Sequence, residues 1–202
     1  MPRFPAALFL TVTLAGCGAL SAVSDATEPL DAFTLSSVRP AVAGSGASHI
    51  VVPAAAASGA IATDRILIKP TPVQAAYLPA ARWVDPAPVL IQSLLVGSLQ
   101  SSAGFRLVSR DDAGLQPDFV ALLDLIQFQA DAPAEGESAW TIRVGLTVTV
   151  IRDEDRSIVA SRRFDATSNA SGQEVGPVVA AFDAATTQVL REATAWIVRQ
   201  TR

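Results

Sequence analysis

The chain has 202 residues, of which 50% are hydrophobic and 17% are charged, with a formal net charge of −4. This composition excludes intrinsic disorder, argues against a nucleic-acid partner, which would require a basic face, and accommodates one domain with a substantial core. Cys17 is the single cysteine and His49 the single histidine. The chain therefore has no intramolecular disulfide and no structural zinc site made from these two residues.

The first seventeen residues have the pattern of a secretory leader that ends at the cysteine. A short basic start at residues 1–3 precedes an apolar stretch at residues 4–14, which is too short to span a bilayer, since spanning requires about 20 apolar residues. The sequence Leu-Ala-Gly-Cys at residues 14–17 resembles the bacterial lipobox, in which the thiol receives diacylglycerol and the chain is cut before the cysteine. We predict a lipoprotein signal peptide over residues 1–16, and diacylglycerol and an N-acyl chain such as palmitate on Cys17. The alternatives are an ordinary signal peptide with a chance cysteine, or a buried core cysteine.

Acylation at Cys17 would anchor the mature protein, because two or three acyl chains hold a protein on a membrane where one chain binds only marginally. Gly18 stands where an aspartate usually signals retention in the inner membrane. By this resemblance we expect the periplasmic face of the outer membrane. Residues 17–30 are predicted to be the lipidated N-terminus and a flexible tether, which reaches about 45 Å when extended and about 20 Å as a coil. Residues 31–202 are predicted to form a single domain.

The first half of the domain is predicted to contain short strands and one helix. Strands are expected at residues 33–35, 49–52, 65–69 and 105–108, with an edge strand at 73–77 and a short helix or turn at 53–60. The helix is predicted to begin at Asp85-Pro86, with the aspartate as N-cap and the proline as the first helical residue. Gly104 is placed to end it.

The second half has a stronger strand pattern and a long final helix. Residues 119–128 form a nearly continuous apolar run, which predicts an interior strand covered on both faces. Residues 140–150 alternate between apolar and polar side chains, which predicts a strand with one buried face. A charged turn at 153–155 precedes a return strand, and apolar residues at spacings of three and four predict a helix at 175–199. The whole order predicts an α+β (α/β-like) domain, in which two main helices pack on a mixed sheet of five to six strands.

The sequence contains no recognised catalytic motif, including the serine-hydrolase elbow, the phosphate-binding loop and the zinc-protease helix motif. His49 is expected to lie in an exposed loop. The acidic run at residues 153–155 lacks the glycine and the ligand spacing of a calcium loop. Asp124 interrupts an apolar run, and we expect an inward carboxylate paired with an arginine, or one at a strand edge; a functional role stays open. We therefore expect no enzymatic activity, no metal site and no cofactor.

Several short segments resemble one known family when they are taken in chain order. They include Phe33-x-Leu35, Asp-Arg-Ile at residues 64–66, Tyr-Leu-Pro-Ala at 77–80, Arg-Trp-Val-Asp-Pro at 82–86, Ser-Ser-Ala-Gly-Phe at 101–105 and Val-Ser-Arg at 108–110. Together with the lipobox, this order resembles the ABC-type transport auxiliary lipoproteins. That family includes the paraquat-inducible lipoprotein that works beside mammalian-cell-entry (MCE) domain proteins.

The resemblance implies a non-enzymatic accessory protein whose partners are an ABC permease, its ATPase and an MCE-domain substrate-binding protein, together moving lipids between the inner and outer membranes. A homo-oligomer is compatible with it. Tyr77 and Trp83 flank a proline-bearing loop and are candidates for a partner or lipid contact, although Trp83 could instead pack on the core. Two other functions stay open. One is a lipoprotein regulator or adaptor of an envelope enzyme such as a cell-wall synthase. The other is a domain that carries lipid between helix and sheet.

Overall fold

The fold was analysed in a computed structural model, which describes residues 30–38, 46–102, 104–111, 114–133 and 139–202. In this part of the chain, nine strands form one mixed sheet, and two helices pack against it around a common core. The elements are β1 (Asp31–Phe33), β2 (Ser48–Val51), β3 (Ala56–Ala57), β4 (Arg65–Thr71), β5 (Gln74–Trp83), α1 (Ala87–Gln100), β6 (Phe105–Ser109), β7 (Phe119–Asp131), β8 (Thr141–Arg152), β9 (Ile158–Asn169) and α2 (Val175–Gln200). The predicted α+β class is confirmed. The strand number exceeds five to six because very short segments also join the sheet.

Strand β7 is the centre of the sheet. Along one edge it pairs with antiparallel β8, from Phe119 opposite Arg152 to Asp131 opposite Thr141. Its other edge is shared by β2, β3 and β4, which pair with it in succession and all run parallel to it. β6 continues the sheet beyond β2, β5 and β1 continue it beyond β4, and β9 continues it beyond β8.

The sheet has two distinct ends, the hairpin end and the turn end. The hairpin end contains the tip of the β4–β5 hairpin, residues 70–74, and the end of β7, since Lys69 pairs with Asp131. The turn end contains the start of β7 at Phe119 and the β8–β9 turn at residues 153–157, since Phe119 pairs with Arg152. The two ends of β7 are about 40 Å apart at the usual rise of a strand.

The core lies between the sheet and the helices. The alternation predicted for β8 is confirmed, because its inward side chains are all buried: Ile142, Val144, Leu146, Val148 and Val150. The stripe predicted on the last helix is confirmed as well, with Phe182, Val189 and Trp196 buried on α2. The ring of Trp196 packs edge-on against Phe164 of β9, with 5.7 Å between centroids.

One face of β7 is open, which corrects the prediction for residues 119–128. Leu122 and Ile126 are 43% and 40% exposed, and Asp124 between them is exposed too. Both helices contact each other and pack on the opposite side of the sheet. The prediction that β7 is covered on both faces is therefore wrong. Leu122 and Ile126 are apolar although they lie on the exposed face, so the sequence of β7 resembled that of a fully buried strand.

The limits of α1 also differ from the prediction. Pro86, and not Asp85, is the N-cap residue, and the helix has no side-chain cap there. It ends at Gln100, before the predicted stop at Gly104. The hydroxyl of Ser102 donates to the carbonyl of Leu99 at 2.6 Å, so a side chain satisfies a terminal carbonyl where a glycine was expected. The segment at 53–60, predicted as helix or turn, contains the short strand β3.

A buried hydrogen bond joins the two helices. Thr194 of α2 donates through Oγ1 to Oγ of Ser98 in α1 at 2.9 Å, and the two residues are 3% and 0% exposed. Neither hydroxyl has access to water. The bond therefore fixes the contact between the helices at a polar point in an otherwise apolar layer.

We expect Thr194→Val to lower the free energy of unfolding by about 1–3 kcal/mol, because it leaves a buried hydroxyl without this partner. Ser98→Ala with Thr194→Val should cost less than the two single losses added together. Urea denaturation measures all three variants. Thr149→Val is the matched control, since its bond to Ser161 at 2.8 Å lies at the surface. If the stability lost in the double variant equals the sum of the two single losses, the two hydroxyls are not coupled, which would contradict this prediction.

Candidate functional site

Tyr77 lies on β5 with its ring partly at the surface. Its side chain is 38% exposed. The guanidinium of Arg65 lies over the ring, 5.6 Å from its centroid, and the phenol donates to the carbonyl of Ala60 at 3.5 Å. The cation–π contact and the phenol contact hold the ring in place. Tyr77 therefore offers a partner a fixed aromatic surface.

Trp83 lies in the core. It is 0% exposed, and its ring centroid lies 5.5 Å from that of Phe128 and 5.3 Å from that of Phe182. Phe128 and Phe182 are 5.0 Å apart, which completes a three-ring cluster between sheet and helix. Core packing is the alternative that the sequence left open for this residue. Trp83 is thus not available for direct partner or lipid contact, and Tyr77 alone of the pair lies at the surface.

The outer edge of β5 is open along much of its length. Among the described residues, β1 pairs with β5 only from Ala81 to Trp83. Residues 70–81 contain no charged side chain, and Val73 at the hairpin tip is 97% exposed. Open strand edges with few charges are templates for pairing with another chain. The open edge and Tyr77 together form an uncharged surface, which we call the β5 surface and take as a candidate for docking.

The open face of the sheet is a second surface. Leu122 and Ile126 supply its apolar part, and Asp124 opposite Thr147 lies between them. The prediction of an inward Asp124 is therefore wrong, because its carboxylate is exposed on the outward face. This surface, called the open face below, has apolar side chains close to a carboxylate.

A charged network borders the open face. Arg163 and Asp165 of β9 form an ion pair at 2.7 Å, and Arg163 also donates to Gln127 at 3.2 Å. The hydrogen bonds that Arg163 donates to the Asp165 carboxylate are the main cause that raises the pKa of Arg163. Gly145 lies beneath the network, since a Cβ there would come within 2.9 Å of an Asp165 oxygen and 3.2 Å of a Gln127 oxygen. The absence of a side chain at 145 lets the three polar groups meet.

A polar groove lies at the turn end, with a volume of about 670 Å³. Its lining includes two carboxylates, Asp118 and Glu154, and two arginines, Arg152 and Arg202. Asp118 is used structurally, because its Oδ2 accepts the backbone N–H of His49 at 2.6 Å. The mixed charges favour polar ligands or partner side chains over acyl chains.

His49 is buried in β2, so its predicted place in an exposed loop is wrong. It is 3% exposed, and its Nε2 lies 2.9 Å from Oγ of Ser109 in β6. The Ser109 hydroxyl donates to the carbonyl of Asp111 at 2.6 Å, which assigns the proton of the His49–Ser109 bond to the imidazole. A serine nucleophile requires the opposite polarity, with its proton directed at the base. The pair therefore joins β2 to β6.

The acidic residues at 153–155 form the predicted hairpin turn. Arg156 donates to Asp153 at 2.7 Å, and the hydroxyl and backbone N–H of Ser157 donate to one oxygen of Asp155 at 2.6 and 3.0 Å. These bonds, with a smaller contribution from nearby Arg152, lower the pKa of Asp155. The carboxylates of Asp153 and Asp155 are thus bonded within the turn itself, while Glu154 lines the polar groove. Across the described ranges, no three or more His, Cys, Asp and Glu side chains cluster in a way that could hold a metal ion.

Cys17 lies outside the described residues, so its acylation remains a prediction. Neither α1 nor α2, the two helices in the described part of the chain, is long and apolar enough to cross a membrane.

The contrast between Trp83 and Tyr77 can be measured. We expect Trp83→Ala to lower the free energy of unfolding by about 3–5 kcal/mol, because it removes a large side chain from a close-packed cluster. Tyr77→Ala, the control on the same strand, should cost about 1 kcal/mol or less, since it removes mainly a surface cation–π contact. Urea unfolding followed by circular dichroism gives both values. Equal losses would show that Tyr77 is a core residue and not a surface one.

Solved structures share this fold. Protein XCC0632 from Xanthomonas campestris superposes with a TM-score of 0.76 at 24% identity, covering 86% of this chain and 96% of that one. The hypothetical protein CT253 from Chlamydia trachomatis superposes with a TM-score of 0.52 at 12% identity, covering 77% of this chain and 98% of that one. At these identities the likeness concerns the fold.

Sequence comparison identifies the family. The uncharacterized protein bll6063 of Bradyrhizobium diazoefficiens is 28% identical over 155 residues, which are 75% of this chain and 40% of that protein. The chain thus spans less than half the length of this relative. A family model described as the ABC-type transport auxiliary lipoprotein component matches residues 33–193. This match confirms the resemblance, and the chain belongs to the family of ABC-type transport auxiliary lipoproteins.

Proposed function

We propose that this protein is a non-enzymatic, lipid-anchored subunit of an ABC transport system of the MCE type, and that it helps move lipids between the inner and outer membranes. The observation that carries the proposal is the family match over residues 33–193. The partners are an MCE-domain substrate-binding protein, an ABC permease and its ATPase. In this role the chain supplies an anchor and docking surfaces, and the ATPase supplies the energy.

The proposed anchor is Cys17. A secretory leader precedes it, and it is the single thiol of the chain. Thirteen residues separate it from Asp31, where the sheet begins. A diacylated and N-acylated cysteine would hold the domain within a short distance of the outer membrane, on its periplasmic side.

The described surfaces favour docking over carriage of lipid inside the domain. The layer between sheet and helices is filled where Trp83, Phe128 and Phe182 meet at centroid distances of 5.0–5.5 Å. Several of the exposed apolar groups lie on the β5 surface and on the open face, among them Tyr77, Leu122 and Ile126. An uncharged strand edge and an apolar sheet face suit contact with another protein.

Replacing Cys17 with serine tests the anchor. We expect Cys17→Ser to abolish incorporation of radiolabelled palmitate and to release the protein from the membrane fraction, because serine offers no thiol for the acyl donor. Its circular dichroism should equal that of the acylated protein, since residue 17 precedes the domain. Ser21→Ala, a change within the same tether, is the control and should keep the label. Equal labelling of the Cys17→Ser variant would disprove acylation at this residue.

Photocrosslinking in cells tests the partners. We expect a benzoylphenylalanine placed at Tyr77 or Leu122 to crosslink to an MCE-domain protein or to the permease, because these positions lie on the β5 surface and the open face. Leu115 at the turn end, which is 54% exposed, is the control position. Mass spectrometry identifies the captured proteins. Capture of a cell-wall synthase from the same positions would instead support the regulator of an envelope enzyme.

A further inference from the structure

The path of the chain into the sheet gives the domain a direction relative to its anchor. β1 runs parallel to β5, with Asp31 opposite Ala81 and Phe33 opposite Trp83. β5 itself runs from the hairpin tip at Gln74 towards Trp83. The chain therefore enters β1 from the side of the hairpin tip.

The lengths agree with this direction. Arg82 of β5 pairs with Arg65 of β4 and Gln74 pairs with Thr71, six residues further along β4, so the hairpin tip lies about 20 Å from the level of β1 at the usual rise of a strand. A tether of this length spans about 20 Å as a relaxed coil and about 45 Å when extended. The hairpin tip can therefore reach the bilayer surface without stretching the tether. The turn end lies in the opposite direction, so the tether would have to double back along the domain to bring that end to the membrane.

The hairpin tip has the chemistry of a membrane contact. All residues from Pro70 to Gln74 are exposed, and Val73 is 97% exposed. None of them carries a charge, so entry into the headgroup layer requires no desolvation of an ion. Lys69, the single lysine of the chain, stands directly before the tip, so its ammonium group can reach headgroup phosphates when the tip lies among them.

We propose that the tip of the β4–β5 hairpin, residues 70–74, rests in the phospholipid headgroup layer of the membrane that holds the acyl chains of Cys17. The inference rests on the proposed acylation. It adds that the hairpin end of the domain contacts the membrane and that the side chain of Val73 inserts into the headgroup layer. The turn end, with its polar groove, then points away from this membrane towards the periplasm.

A fluorescent probe at the tip tests the orientation. An acylated Cys17 has no free thiol, so the Val73→Cys variant can be labelled at residue 73 alone with the environment-sensitive dye NBD. The full mature protein is placed on vesicles of phosphatidylethanolamine and phosphatidylglycerol. Ile158→Cys is the matched control, because residue 158 is a 68% exposed apolar position at the turn end. Circular dichroism checks both folds, and intact mass measures acylation.

We expect NBD emission at residue 73 to shift to the blue on vesicles and to be quenched by nitroxide-labelled headgroups, while NBD at residue 158 shows neither change. If the protein is acylated but NBD at residue 73 shows no more blue shift or quenching than NBD at residue 158, the proposed orientation is overturned and the proposed function stays intact. A blue shift at residue 158 alone would overturn it as well, by placing the turn end on the membrane. A mass without acyl chains would overturn the proposed anchor and, with it, this inference.

Discussion

The fold depends on the pairing of β7 along both of its edges. β8 pairs along one edge over the full length of β7, and β2, β3 and β4 divide the other edge among them. Each remaining strand reaches β7 through one of these neighbours or through two. The β4–β5 hairpin and the β8–β9 hairpin thereby belong to one sheet. The hairpin end and the turn end lie at the two ends of β7.

The side on which the helices pack follows from the same arrangement and decides where partners can bind. α1 follows β5 and α2 follows β9, yet both cover the same face and meet through Ser98 and Thr194. Core volume is then concentrated on one side, where Trp83 and its aromatic neighbours fill it. The other side keeps Leu122 and Ile126 in contact with water. The asymmetry suits the proposed role, because one layer supplies stability while the opposite face stays open to solvent.

Much of the fold was predictable because the spacing of apolar residues and the positions of glycine and proline are local signals in the sequence. The alternation in β8 and the spacing in α2 predicted correctly which of their residues are buried, and the order of elements predicted the α+β class.

The incorrect predictions concern contacts between segments that are distant in sequence. Nothing in residues 119–128 tells whether a helix covers the second face of β7, since that depends on where α1 and α2 pack. His49 could be placed in a strand, but its burial depends on Ser109 and Asp118, which are remote in sequence. For the candidate site, Trp83 and Tyr77 look alike as aromatic residues near a proline, and only the register of β5 separates core from surface.

The shared edge of β7 has a consequence for the order of assembly. β2, β3 and β4 all precede β7 in the chain, but each one pairs with it, so none of these pairings can form until residues 119–131 are present. The N-terminal half of the domain must therefore wait for a partner encoded 50 or more residues later, and such non-local pairing is intrinsically slow. A chain emerging N-terminus first can pair β4 with β5 and β2 with β6 early, but the edges of these strands that face β7 stay unpaired until residues 119–131 are available. The delay is compatible with export through a narrow channel, since the sheet cannot close early.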